Sequence, residues 1–598
     1  MRKKYQYLLI SLFAIVALLA SALGVGFTFA RGNSTTASQV GISAGGKAAT
    51  ARMVSMHVVN MSTVPVETAK QLSGLPTKKL PLAGTDPALY AQWKKAAAQN
   101  KNAPLIQNVQ SALPKTTSAG FDTPGATTRF QGITDSTSVC PFFGGCQPPD
   151  MALAASPNWV FQGVNTSFAV YSPGGTLQSG WPKTSQSFFG VPNPGSCDSR
   201  GPFLSDPRAF YDPNDSRFWV AMLQAEGIGG INSSCPEKTL YWIGVSQTNN
   251  PNGLWNIYAF DMRAGANTTN YADYVQFGFD QQAIYFSANM FNQANTAFQY
   301  AEIFAASKST MENGQFVSFF GFLQLSVTAN RTVFVDTVQP VETEAHKYGG
   351  PRGGLFINSF DKFFGDPFGD NCRTSNCHGL SVWTLTHPGT SSTTLSFAFV
   401  DTNSYVLPPQ ADEPGCTGCI ETLDTRISGT PPYHNGLISF ALESALNNGS
   451  QVVPGILWGQ VTPELNDNGT LAGAVLYQQG YYAYSGDGAA SFGALMPDAD
   501  GDLFMVFEFM NSSTNPEVAY TARRVAFPLG SFHDGGIVLR SGDAPTTDGR
   551  WGDFEATSYD GTTKDDVWFA GEYAPSSGPR NGDWSTFIGK DKFCSTCN

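Results

Sequence analysis

The chain has 598 residues, 41% hydrophobic and only 14% charged, with 47 Asp and Glu against 35 Lys and Arg. It is long enough to bury a sizeable core, and its acidic balance disfavours nucleic acid, whose binding needs a basic footprint. The 62 glycines, 37 prolines and 13% aromatic residues point to an all-β, turn-rich, exported protein.

Arg2, Lys3 and Lys4 precede an apolar run from Leu8 to Leu19, and Ala20-Ser21-Ala22 has the small-x-small form of a cleavage site. Residues 1–30 therefore read as a signal peptide, with Thr28-Phe29-Ala30 as a second candidate site. The apolar run continues to Ala30 and is long enough to span a bilayer, so an uncleaved signal anchor is the alternative. It would be the chain's only expected contact with a membrane.

Residues 31–120 read as a low-complexity linker with ten basic and two acidic residues, against 22 and 45 in residues 121–598. Such an arm is either a solvated spacer or a strip that lies on an anionic envelope. One helix is predicted within it, Asp86 through Lys101, with Asp86 as N-cap and Pro87 in the first turn.

Ten cysteines in an exported chain read as disulfides. Neighbours suggest Cys140 with Cys146, Cys372 with Cys377, Cys416 with Cys419 and Cys594 with Cys597, leaving Cys197 with Cys235. The two C-x-x-C pairs could instead be halves of a zinc site.

From Phe121 onward, short aromatic and β-branched runs alternate with Gly, Pro, Asn and Asp. Several segments share one plan: an apolar run, a polar turn, and a second run centred on an aromatic. The centres are Trp159, Trp219, Tyr285, Phe504 and Trp568, with weaker candidates near Phe356 and Ile438. Each segment reads as a β-hairpin. Roughly 68 residues per unit leaves room for four strands, the arithmetic of a β-propeller over residues 121–598. Seven blades are expected; six blades with an insertion, or two β-sandwiches, are the alternatives. TRFQGIT, near residue 130, is the expected strand that closes the ring.

Aligned on their turns, four units place a carboxylate before the hairpin: Asp150, Asp206, Asp273 and Asp553. On innermost strands these acids would meet at one mouth of the central channel. Clustered carboxylates repel, so the ring needs a cation, arginines or raised pKa values. Calcium is one answer, and pairing with arginines such as Arg208 and Arg550 is the other. The structural alternative is that each Asp staples one blade to the next through backbone amides.

The segments SDPRAFYDPNDSRFWVAM, YWIGVSQTNNPNGLWNIYAF, DYVQFGFDQQAIYFSANMF, YQQGYYAYSGDGAASFGALMPDADGDLF and GRWGDFEATSYDG resemble a family of exported, largely uncharacterised bacterial propeller proteins, over most of residues 145–592. Some members are labelled sialidase-like from the fold. The resemblance implies a propeller and an extracellular life, and no established reaction. A sialidase-like site would need an arginine triad and paired acids; Arg208, Arg426 and Arg550 with Glu508, Asp553 and Glu572 are the residues available. No clean Ser-x-Asp-x-Gly-x-x-Trp box is present.

Other motifs do not hold. Asp498-Ala-Asp500-Gly-Asp502 lacks the Gly and Glu of an EF-hand, and the six histidines show no metal-ligand spacing. The expected function is binding of a ligand or surface polymer, a glycan above all, at the channel mouth. The alternative is an exo-glycosidase built on the same mouth. The candidate residues are Asp150, Asp206, Arg208, Asp273, Arg426, Arg550, Trp551, Asp553 and Glu572.

Overall fold

A computed structural model describes residues 41–66, 84–111, 128–135, 147–192, 202–227, 235, 237–264, 269–343, 353–532, 535–546, 549–561, 566–576 and 584–593. The signal segment lies outside these residues, as do Cys140, Cys146, Cys197, Cys594 and Cys597. Residues 41–598 form one compact unit.

The protein is an all-β propeller built from four-stranded antiparallel meanders. Four meanders stand as separate sheets, and three more are joined in one 15-stranded sheet. In chain order, their first strands are Ala152–Ala155 (unit I), Leu204–Asp212 (II), Tyr271–Phe279 (III), Gln339–Pro340 (IV), Pro432–His434 (V), Ala489–Pro497 (VI) and Ala556–Tyr559 (VII). The predicted hairpins are all present. The expected aromatic centres Trp219, Tyr285, Phe504 and Trp568 fall on second strands, as do the weaker candidates Phe356 and Ile438, and Trp159 lies immediately before one. Period-two alternation is weak in these strands because both faces are covered, so their residues are buried almost without interruption.

Apolar clusters fill the spaces between units. One joins the faces of I and II, one joins II and III, and one spans III, IV and V. Others join V with VI and VI with VII, and a last one brings VII against I. TRFQGIT closes this arrangement as expected: Thr128–Thr134 pairs antiparallel with Ser585–Asp591 as the fourth strand of unit VII.

The arm before residue 121 departs from the linker reading. Ser43–Asn60 is a strand of 18 residues. Its first half pairs with Phe319–Thr328 of unit III, and its second half with Leu254–Asp261 of unit II. It thus covers the outer edges of two neighbouring sheets, whose unpaired N–H and C=O groups demand a partner. The predicted helix is present over Pro87–Ala97, a turn shorter than expected, and the Asp86 side chain accepts the Leu89 N–H at 2.9 Å. No helix among the described residues is long and apolar enough to cross a membrane.

Cys372–Cys377 and Cys416–Cys419 are disulfides, as the spacing suggested, so Cys416 and Cys419 are not half of a zinc site. Cys235 is also disulfide-bonded.

Candidate functional site at the channel mouth

Seven residues other than glycine adopt left-handed φ angles where the innermost run of each unit begins: Asp150 (49°), Asp206 (57°), Tyr274 (51°), Thr337 (46°), Leu423 (47°), Phe492 (57°) and Asp553 (84°). This backbone costs a side-chain-bearing residue free energy, so surrounding contacts must hold it. At three of them the contact comes from the preceding unit, from its second strand or the residue just after it. Asn165 of unit I accepts the Asp206 N–H at 2.8 Å, and Asn289 of unit III accepts the Thr337 N–H at 2.7 Å. Glu443 of unit V accepts the Phe492 N–H. The staple between units therefore exists, but the side chain that makes it belongs to the preceding unit. That leaves the carboxylates of Asp150 and Asp206 largely free for other work.

Asp150, Asp206, Asp273 and Asp553 line one cavity of about 70 Å³, together with Arg426 and Arg550. The expected convergence is present, with one shift of register: the left-handed residue of unit III is Tyr274, and Asp273 precedes it. The same cavity is lined by residues that the spacing argument missed, chiefly Tyr90, Tyr274, Lys362 and Asp424.

The charges are arranged in pairs. Arg550 donates to both oxygens of Asp553, at 2.6 and 2.7 Å. Arg426 donates to both oxygens of Asp424, each at 2.6 Å, and its guanidinium lies 4.3 Å from the centre of the Tyr274 ring. Lys362 also reaches Asp424. Burial alone would raise the Asp424 carboxyl, but Arg426 and Lys362 more than offset it and hold it well below its ordinary value. Burial would likewise weaken Arg550, and Asp553 reverses that, holding its guanidinium firmly charged.

The remaining acids behave oppositely. Burial pushes Asp206 up to about 8, with Asp273 and Asp553 adding to the rise against Arg208. Burial also pushes Asp273 up to about 6 and Asp150 well above the ordinary carboxylate range. Asp150 Oδ2 accepts from Asn165 at 2.7 Å, while Asp150 Oδ1 and Asp206 Oδ2 have no partner among the described residues. The cavity thus holds two arginine-clamped carboxylates beside Asp150 and Asp206, which keep their protons near neutral pH, an arrangement that offers both donors and acceptors.

Three expected site residues sit elsewhere. Arg208 lies below the mouth, its guanidinium 3.4 Å from the centre of the Phe554 ring and 3.3 Å from the Ser428 carbonyl oxygen. Trp551 is core, its indole N–H donating to Glu508. Glu572 is fully buried and accepts the Gly552 N–H at 3.0 Å. Trp551 and Glu572 hold the Arg550–Asp553 loop from beneath.

The donor set does not fit calcium. Arg550 takes both oxygens of Asp553, and Asn165 takes one of Asp150. No group of three or more metal-type ligands comes together among the described residues. The Asp498 loop is a turn, its carboxylate accepting the Asp500 and Asp502 N–H groups at 3.0 Å each.

No protein-family model and no curated protein matches this chain. Solved structures similar to it include a protein of unknown function from Dyadobacter fermentans, at 8% identity and TM-score 0.28, covering 64% of this chain and 93% of that one. A PL25 ulvan lyase is similar at 10% identity and TM-score 0.31, covering 75% and 92%. The phage phi92 endosialidase is similar at 7% identity and TM-score 0.32, covering 80% and 71%.

Proposed function

We propose that this protein is an exported seven-bladed propeller whose channel mouth binds a hydroxyl-rich ligand, the end of an extracellular or envelope glycan. The observation that carries the reading is the meeting of Asp150, Asp206, Asp273 and Asp553, from four different units, in one cavity with Arg426 and Arg550. Each sugar hydroxyl both donates and accepts a hydrogen bond, so it suits a wall that holds both protonated and arginine-paired carboxyls. The two short-range disulfides support an oxidising compartment.

A second reading is an exo-glycosidase. It is favoured by one observation: Asp206, raised to about 8, shares the cavity with the arginine-paired Asp553, and glycoside hydrolysis needs a proton donor and a carboxylate.

A glycan array and a fluorogenic glycoside panel, run on the wild type, Asp553→Asn and Arg426→Ala, test both. Array binding that falls at least tenfold in both variants, with the glycosides silent, is the expected result. Turnover abolished by Asp553→Asn at unchanged melting temperature would replace binding by catalysis. Binding undiminished in either variant would remove the mouth from the account.

A further inference from the structure

The chain's own N-terminal arm forms part of the wall of the cavity at the mouth. Thr85 and Tyr90 line it beside the four aspartates. The helix Pro87–Ala97 buries Tyr90, Lys94 and Ala97, and two of these three side chains are polar. The Tyr90 hydroxyl donates to Glu421 Oε1 at 2.9 Å and is 3.0 Å from the Leu423 carbonyl oxygen. Lys94 Nζ donates to Thr422 Oγ1 at 2.7 Å and to the Leu423 carbonyl at 2.6 Å, and lies 3.4 Å from Glu421. Both side chains thus hold the loop before Asp424 and Arg426, the ion pair that forms one wall of the mouth. On the outer side, Arg373 sits 4.6 Å from the centre of the Trp93 ring.

This helix is held in a way that permits release. A helix of 11 residues is marginal in water by itself, so its order depends on being docked. Its anchors toward the mouth are a buried hydroxyl and a buried ammonium, whose desolvation cancels much of what their hydrogen bonds gain. Burial lowers the Lys94 pKa, with Glu421 opposing the shift.

We propose that Pro87–Ala97 is a releasable cover that occupies the binding site in the resting protein, and that ligand and helix compete for the Glu421–Arg426 loop. The proposal rests on the mouth being the binding site, and it adds ligand chemistry: Tyr90 stands where a ligand hydroxyl would donate to Glu421 and Leu423. The ligand that displaces it presents a hydroxyl at that point.

Hydrogen exchange on the full-length chain tests the cover without any ligand. Tyr90→Ala removes the inner anchor, and Arg373→Ala loosens the outer face without touching the mouth. Both are expected to speed exchange of residues 421–426 at least tenfold, with the Ala283–Phe291 strand unchanged. Unchanged exchange in Arg373→Ala, or acceleration spread over the whole chain in both variants, would overturn the cover. A glycan array on the same proteins separates the two ideas. Opened variants should bind at least tenfold better than the wild type. If exchange accelerates and no glycan binds to any of them, the cover stands and the glycan reading falls.

Discussion

Asp206 is a buried side chain of the mouth that carries its proton into the neutral range. Its folded pKa of about 8 lies above the value of 3.8 for a free carboxyl. A group raised in this direction stabilises the fold fully below the unfolded pKa, and that contribution is lost as pH rises toward the folded pKa. The window is therefore roughly pH 4 to 8, over which the loss approaches ~1.4 kcal/mol per pH unit before neighbouring charges share it. Asp206→Asn removes the titration. It should stabilise the protein at pH 8 by about 1–3 kcal/mol and change little at pH 4, as read from denaturant melts at both values. A variant with the wild-type pH profile would contradict the burial of this acid. Arg426→Ala has the opposite sign: it leaves Asp424 buried without its bidentate partner and should cost about 3–5 kcal/mol at neutral pH. Spacing alone brought Asp150, Asp206 and Asp553 to the right place, because a repeated strand start repeats a direction. It misplaced Arg208, Trp551 and Glu572, because depth below the mouth leaves no mark on local spacing. Tyr90, Lys362 and Asp424 were invisible, since they reach the cavity from segments far apart in the chain.

The hairpins were legible because polar turns punctuate them at a regular interval. Ser43–Asn60 was not. Its first half, SAGGKAATA, is poor in the β-branched and aromatic residues that mark strands, and its pairing is imposed by two open sheet edges distant in the chain. The helix Pro87–Ala97 was legible from its cap alone, while its burial over the mouth was not. The closing strand offers a direct check on the ring. Gly132 packs so closely that a Cβ there would meet Thr586 Oγ1 at 2.4 Å and Gln162 Oε1 at 2.6 Å. Gln162 belongs to unit I and donates to Thr586 of unit VII at 2.8 Å, so the clash falls on the seam. Gly132→Val should cost about 1–3 kcal/mol in urea unfolding. A neutral effect would argue that the strand does not close the ring.

Across the molecule, the same left-handed turn recurs at each innermost run, and at Asp206, Thr337 and Phe492 a side chain of the preceding unit locks it. The repeat holds the scaffold while the side chains at the mouth vary, which is how one ring presents acids, arginines and a tyrosine to a single cavity. Ligand binding in that cavity is the central proposal. Hydrogen exchange of the full-length chain, with and without the best-binding oligosaccharide from the array, addresses this directly. Simultaneous protection at residues 149–152, 204–206, 273–276, 423–427 and 550–553, with faster exchange over 87–97, is the predicted result. Protection confined to an outer face, with the mouth and the helix unchanged, would contradict it.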